Sequence, residues 1–153
     1  MVPILLYHQI AQLVERQDPH RLAVPPRLFE GQMTYLHLHR YRCLDLQEVV
    51  RCLHEGVRLP KKCFVLTFDD GYRDFLTAAS PILSRFGFTA TVFIVAGRMG
   101  EVSDWMGQVG SGAAPLLSWQ EARELAGQGF TFGSHTVSHA SLTAVDGDLT
   151  RHH

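Results

Sequence analysis

The sequence predicts an α/β fold built around a parallel sheet, and three stretches carry that reading. Phe64-Val65-Leu66-Thr67-Phe68 is an unbroken run of apolar and β-branched residues, the composition of a strand covered on both faces. Thr89 to Val95 is a second such run. Between them Phe75, Ala78, Ala79, Ile82, Leu83 and Phe86 recur at helical spacing within Tyr72 to Phe86, with Gly87 as the stop. Strand, helix and strand make a βαβ unit, right-handed by the usual rule. Pro81 inside the stripe predicts a kink or a break into two pieces. Polar chemistry begins where the strands stop, at Asp69-Asp70-Gly71 and at Ser134-His135-Thr136-Val137-Ser138-His139. In α/β folds the carboxyl ends of the strands form the functional face.

The other elements follow in order. Val2-Pro3-Ile4-Leu5-Leu6-Tyr7 reads as the first strand, with His8 at its end. From Ile10 to Pro26 polar residues mix without period and three prolines break any helix, which makes a loop. Phe29, Met33 and Leu36 space a helix over 27–39 behind Pro25-Pro26. A short strand near Tyr41 to Leu44 precedes Asp45, which caps a second helix whose Leu46, Val49, Val50 and Leu53 face inward up to Gly56. Asp45 and Glu48 have capping-box spacing. Ala96 to Pro115 is a Gly-rich loop in which Asp104-Trp105 offers either a sugar-stacking surface or ordinary loop packing. Ser118 to Glu121 matches a capping box for a helix running to Ala126, and Phe130 to Phe132 forms the last strand before the histidines.

Composition describes one globular domain over residues 1–153: 46% hydrophobic, 19% charged, net charge −1. Charge that close to zero gives no electrostatic case for nucleic acid or an anionic membrane. The opening apolar run is too short to span a bilayer and lacks the basic start of a signal peptide. The compartment therefore stays open: cytoplasmic as the chain stands, extracytoplasmic if a leader was removed. Cys43, Cys52 and Cys63 are odd in number and lack metal-finger spacing, so they read as buried free thiols. Cys52-Leu53-His54 is a weaker candidate for a second metal site.

Two adjacent carboxylates in one cavity repel each other, and a divalent cation relieves the repulsion. One acid can then bind the ion while the other serves as a general base, as metal-assisted hydrolysis requires. The dipeptide alone suits a helix cap equally well. His135 and His139 share one face if their segment is helical, and reach one ion if it is a tight turn.

Thr67-Phe68-Asp69-Asp70-Gly71 with Ser134-His135-Thr136-Val137-Ser138-His139 resembles the first two motifs of the polysaccharide deacetylases, the NodB-like carbohydrate esterases of family 4. Ile4-Leu5-Leu6-Tyr7-His8-Gln9 is similar to the start of the circularly permuted subgroup that deacetylates poly-β-1,6-N-acetylglucosamine. The similarity also includes Phe29, Met33 and Leu36, Leu59-Pro60-Lys61 and Ala79 to Leu83. The resemblance implies Asp69 as general base, His8 as general acid, and Asp70, His135 and His139 as ligands of one divalent metal, most commonly zinc, with cobalt, iron or manganese as alternatives. It implies an acetylated glycan as substrate, the amide or the ester of the acetyl group being open. The family's later aromatic-proline and arginine motifs are absent. A (β/α) barrel needs about 200 residues or more, so these 153 should hold a barrel truncated before its last strands. Unpaired sheet edges would then invite self-association. A catalytically impaired module that holds a metal or a glycan is the alternative function, and a two-metal phosphoesterase a more distant one.

Overall fold

The computed structural model describes residues 2–103, 105 and 113–143. Five strands, β1 (Ile4–Tyr7), β2 (Arg42–Cys43), β3 (Cys63–Phe68), β4 (Thr91–Ile94) and β5 (Thr131–Ser134), form one sheet. The strand order is β1-β3-β4-β5, with β2 also paired to β3, and every pairing is parallel. The α/β expectation holds. Among the described residues the sheet does not close into a barrel.

Each residue of β3 is buried, and strand alternation sorts them. Phe64, Leu66 and Phe68 join the main core with Phe29, Met33, Phe75 and Leu83. Cys63 and Val65 enter a smaller core with Leu44 and Val49. Burial on both sides explains why this strand reads as a continuous apolar run. At the edge, β1 is covered on one face only: Leu5 and Tyr7 pack on the main core. Ile4 and Leu6 are 53% and 55% exposed, although their register partners Val65 and Thr67 are buried.

Helix α1 (Pro26–Leu38) starts with proline in its first turn, where no N–H is needed, and buries Phe29 and Met33. Helix α2 (Leu46–Glu55) is capped by Asp45, whose Oδ1 accepts from the Gln47 N–H at 2.7 Å. The capping box is not closed, because Glu48 instead lies 3.6 Å from the Arg42 guanidinium. The inward stripe is narrower than predicted. Val49 is buried, while Val50 is 47% and Leu53 69% exposed. Leu53 lines an open groove with Ile4, Val57 and Leu59, where the edge strand leaves it no apolar cover.

The helix after the aspartates has two parts: a π-helical turn at Phe75–Ala79, then α3 (Ser80–Phe86). Pro81 falls in the first turn of α3, and the wide turn before it accommodates the missing amide donor. Tyr72, predicted at the helix start, lies outside it. Its backbone forms an antiparallel bridge with Leu116 and its side chain is buried. Helix α4 (Trp119–Gly127) has the predicted capping box, with Ser118 Oγ accepting from the Glu121 N–H and Glu121 accepting from the Ser118 N–H.

The 10–26 loop is more ordered than sequence suggests. A 3-10 turn (Glu15–Gln17) and Asp18, which accepts from the Leu22 and Ala23 amides at 2.7 and 2.9 Å, fold the 10–26 segment back onto Gln9. Ala96–Arg98 is a second 3-10 turn, and Val102 bridges Pro115. Asp104 lies outside the described residues, as does much of that loop. All three cysteines are free thiols, but only Cys63 is buried; Cys43 and Cys52 are half-buried, which corrects the expectation. Cys43 Sγ donates to the Thr89 carbonyl, and its burial pushes the thiol up to about 12. No helix of the described residues is long and apolar enough to cross a membrane.

Asp45 also accepts from Thr131 Oγ1 at 3.0 Å, which ties the start of α2 to β5. Asp45→Ala should therefore lower the unfolding free energy by about 1–2 kcal/mol in urea titration, the upper part of the range for losing an N-cap. A loss under about 0.5 kcal/mol would mean that water replaces both contacts.

Candidate functional site

Parallel register brings the strand ends side by side. Tyr7 is level with Phe68, Phe68 with Val92, and Val92 with Phe132. The residues that follow these strands are tied by backbone hydrogen bonds: the Asp69 N–H donates to the Tyr7 carbonyl at 2.9 Å and the His135 N–H to the Ile94 carbonyl at 2.8 Å. An aromatic layer of Tyr7, Phe29, Phe68, Phe75 and Phe130 lies beneath, with ring centroids 4.8–5.9 Å apart. Its edge-to-face contacts fix the backbone that carries His8 and Asp69.

At the end of β3 the chain turns through two consecutive left-handed residues, Asp70 (φ 72°) and Gly71 (φ 73°). Gly71 has no alternative here, because a Cβ would meet Ile94 Cγ2 at 3.0 Å in an already strained conformation. This turn sends the Asp70 side chain inward, where it is 3% exposed. The aspartates do not cap the following helix: Asp74 occupies the cap position, and without a side-chain cap bond.

The histidine segment is a tight turn, not a helix. Thr136 (φ 67°) and His139 (φ 59°) are also left-handed, so three of the five described non-glycine residues with positive φ belong to this one site. Each costs on the order of 1–3 kcal/mol and persists only where its surroundings enforce it. The surroundings are visible. The Ala96 and Gly97 amides donate to the Thr136 and Val137 carbonyls at 3.0 and 2.8 Å. A Cβ on Gly97 would come within 2.5 Å of the Val137 carbonyl oxygen, so only glycine permits this approach.

The result is a compact group. His135 Nε2 and His139 Nε2 lie 3.3 and 3.2 Å from Asp70 Oδ1, and the ligand atoms of the three residues all fall within 4.8 Å of one another. Among the described residues Asp70 Oδ1 nevertheless has no partner in good hydrogen-bond geometry. The two imidazoles approach it without the direction of a donated bond, as ligands converging on a common point do. Among the described residues no other set of three potential ligands converges in this way, and Cys52 with His54 does not form one. Trp105 stacks on the His139 ring at 4.6 Å. With His135, Thr136, His139 and Ser141 it lines an open cleft of about 670 Å³.

Electrostatics separate the two carboxyls. Burial opposes ionisation of Asp70, but His135, His139 and His8 together outweigh it and bring its pKa below the ordinary value. Burial also raises Asp69, the neighbouring Asp70 charge adds to that, and the three histidines only partly offset it. His135 is raised, chiefly by the Asp70 carboxylate facing its ring. Asp69, Asp70, His8, His135 and His139 are thus close enough to sense one another, as adjacent strand ends require. The sequence offered no signal for Tyr72, whose buried hydroxyl is raised by burial and by the Asp70 charge. Asp74 was equally silent, and its signal, an acid one helical turn beyond Asp70, is too common to single out.

A sequence model described as polysaccharide deacetylase matches residues 56–152. The Bacillus subtilis protein YxkH, whose name places it among polysaccharide deacetylases, is 31% identical over 94% of this chain and 45% of its own length. The Escherichia coli poly-beta-1,6-N-acetyl-D-glucosamine N-deacetylase is 29% identical over 73% of this chain and 17% of its own length. Among solved structures, the Streptococcus pyogenes deacetylase PplD in complex with acetate superposes with a TM-score of 0.80, at 32% identity over 97% of this chain and 62% of that one. IcaB from Ammonifex degensii gives 0.76 at 26% identity, over 97% and 57%. The chain thus spans less than two thirds of each of these relatives. With the sequence model, the fold and the strand-end acids and histidines in agreement, the chain belongs to the polysaccharide deacetylase family.

Proposed function

We propose that this chain carries the metal-binding and catalytic residues of a hydrolase that removes acetyl groups from an N-acetylated glycan. The observation that carries the proposal is the buried Asp70 Oδ1, without a hydrogen-bond donor and faced by two imidazole nitrogens. A carboxylate and two imidazoles are a donor set that suits one divalent cation, zinc first, with cobalt, iron and manganese also compatible. When bound, such an ion supplies polarisation of the acetyl carbonyl and a lowered pKa for water.

The chain's own residues would do the rest. Asp70, His135 and His139 would hold the ion. Asp69, half-buried and raised above an ordinary carboxyl, would take a proton from the attacking water. His8 would return a proton to the leaving amine nitrogen, or to an alkoxide were the substrate an ester. The names of the relatives support the substrate class, and acetate in the PplD complex is the product that such a reaction releases.

One observation favours a second reading. Ile4 and Leu6 are exposed beside buried partners, so one face of β1 is uncovered. A chain that holds a metal or a glycan without turnover would fit that openness, and the self-association expected from unpaired strand edges is part of the same proposal.

Metal content and acetate release from an N-acetylglucosamine oligomer, measured on the same preparations, separate the readings. His139→Ala should lose the bound metal, and retained stoichiometric metal would overturn the ligand assignment. Asp69→Asn should keep the metal and lower acetate release by about 10²- to 10⁴-fold; an unchanged rate would remove it as base. Metal without acetate in the unsubstituted chain would favour the holding module.

The pH profile provides a further check. Asp69 works only when ionised, so activity is present above its pKa and lost as pH falls through it. Burial raises that pKa in the ion-free chain, whereas a cation held by Asp70 lowers it, so the assignment is read from the loss of the acid limb in Asp69→Asn and not from its midpoint. An acid limb that persists unchanged in the residual activity of Asp69→Asn would contradict Asp69 as the group responsible.

A further inference from the structure

We infer that Asp74 is a positioning residue for His8, anchoring the segment that carries the imidazole through the two residues that follow it. The inference rests on the deacetylase reading only insofar as His8 has a catalytic role there.

Asp74 precedes the helix at Phe75–Ala79, where an aspartate ordinarily accepts from its own helix's free amides. This side chain makes no such bond. It reaches across to the end of β1: Oδ1 accepts from the Ile10 N–H at 3.1 Å and Oδ2 from Gln9 Nε2 at 3.5 Å. Gln9 and Ile10 are 3% and 1% exposed, so the bonds are made away from water. Burial pushes the Asp74 carboxyl up to about 6, which makes it a costly place for an acid with no other task visible.

The geometry is that of a clamp across the site. Asp74 follows Asp70 by four residues, so one short segment presents both the candidate ligand and the anchor. On the other side, the Gln9 carbonyl accepts from the Val24 N–H at 2.9 Å. The β1 end is therefore gripped by Asp74 on one side and by the returning loop on the other. Directly before it stands His8, which is near enough to Asp69 and Asp70 to favour ionisation of both carboxyls. A shift of the Gln9–Ile10 backbone would carry the imidazole with it, while Asp70, His135 and His139 have supports of their own in the turns at Asp70–Gly71 and at Thr136–His139.

The test reads position and turnover separately, on the whole chain. In the unsubstituted protein the Ile10 amide should be protected from hydrogen exchange, and free exchange there would overturn the proposal without any variant. Asp74→Ala should speed Ile10 exchange by about 10- to 100-fold, the equivalent of losing a hydrogen bond to a charged acceptor. It should also move the His8 ring signals in proton–carbon NMR while those of His135 and His139 stay in place. Asp74→Asn retains an acceptor oxygen and should keep Ile10 protected. Acetate release should fall about 10-fold or more in Asp74→Ala, in kcat and not KM, yet show no further loss when the substitution is made in His8→Ala. Unchanged His8 signals, or an equal loss in both backgrounds, would reduce Asp74 to a structural residue. If the unsubstituted chain releases no acetate, the deacetylase reading fails, and the exchange and ring signals still decide the positioning role.

Discussion

The constraint on which the site depends is the burial of the Asp70 carboxylate. An ionised group out of contact with water is expensive unless opposite charge or donors surround it, and Asp70 Oδ1 has no hydrogen-bond donor. What faces it are two imidazoles from another strand end. Their placement demands left-handed backbone at Thr136 and His139, and the close approach of Ala96–Gly97 to the turn holds that backbone in place. Strain, charge and glycine placement thus converge on one atom. The aromatic layer beneath gives these groups a rigid floor, because Tyr7 and Phe68 lock together immediately before His8 and Asp69.

Local composition made much of this legible. β3 announces itself because a strand buried on both faces must be apolar throughout, and the capping box at Ser118–Glu121 works within four residues. The acids and histidines could be read as one site because each group follows a strand, and parallel strands end together. Where the reading fell short, the deciding partner is remote in sequence. Val50 and Leu53 fit a helical stripe, but of that stripe only Val49 is buried, in the smaller core with Leu44, Cys63 and Val65. Tyr72 continues the apolar period of the next helix, yet the bridge to Leu116 takes it out. Glu48 has the spacing to close a box and meets Arg42 instead. No local pattern distinguishes Asp74 from any other acid in the first turn of a helix, since its partners at Gln9 and Ile10 belong to the first strand.

The two carboxyls of one dipeptide also acquire opposite tendencies from placement alone. Asp70, turned inward toward the imidazoles, is held below the ordinary carboxyl value, whereas Asp69, half-buried beside a charged neighbour, is held above it. Chemically identical side chains one residue apart are thereby suited to different tasks, one to staying charged and one to exchanging a proton.

Parallel topology has a kinetic and thermodynamic corollary. No two neighbouring strands of this sheet are joined by a hairpin, so the groups of the site, from His8 to His139, meet only through crossovers that close long stretches of chain. Loop-closure entropy must be overcome before those contacts return anything, which makes such assemblies slow to form. No small fragment can present the three candidate ligands together, since Asp70 follows β3 and both histidines follow β5. A cation that binds there and not to the unfolded chain would therefore stabilise the whole sheet by mass action, by about 2.7 kcal/mol at a free concentration one hundred times its Kd. Occupancy of the site and integrity of the fold are in this sense a single equilibrium.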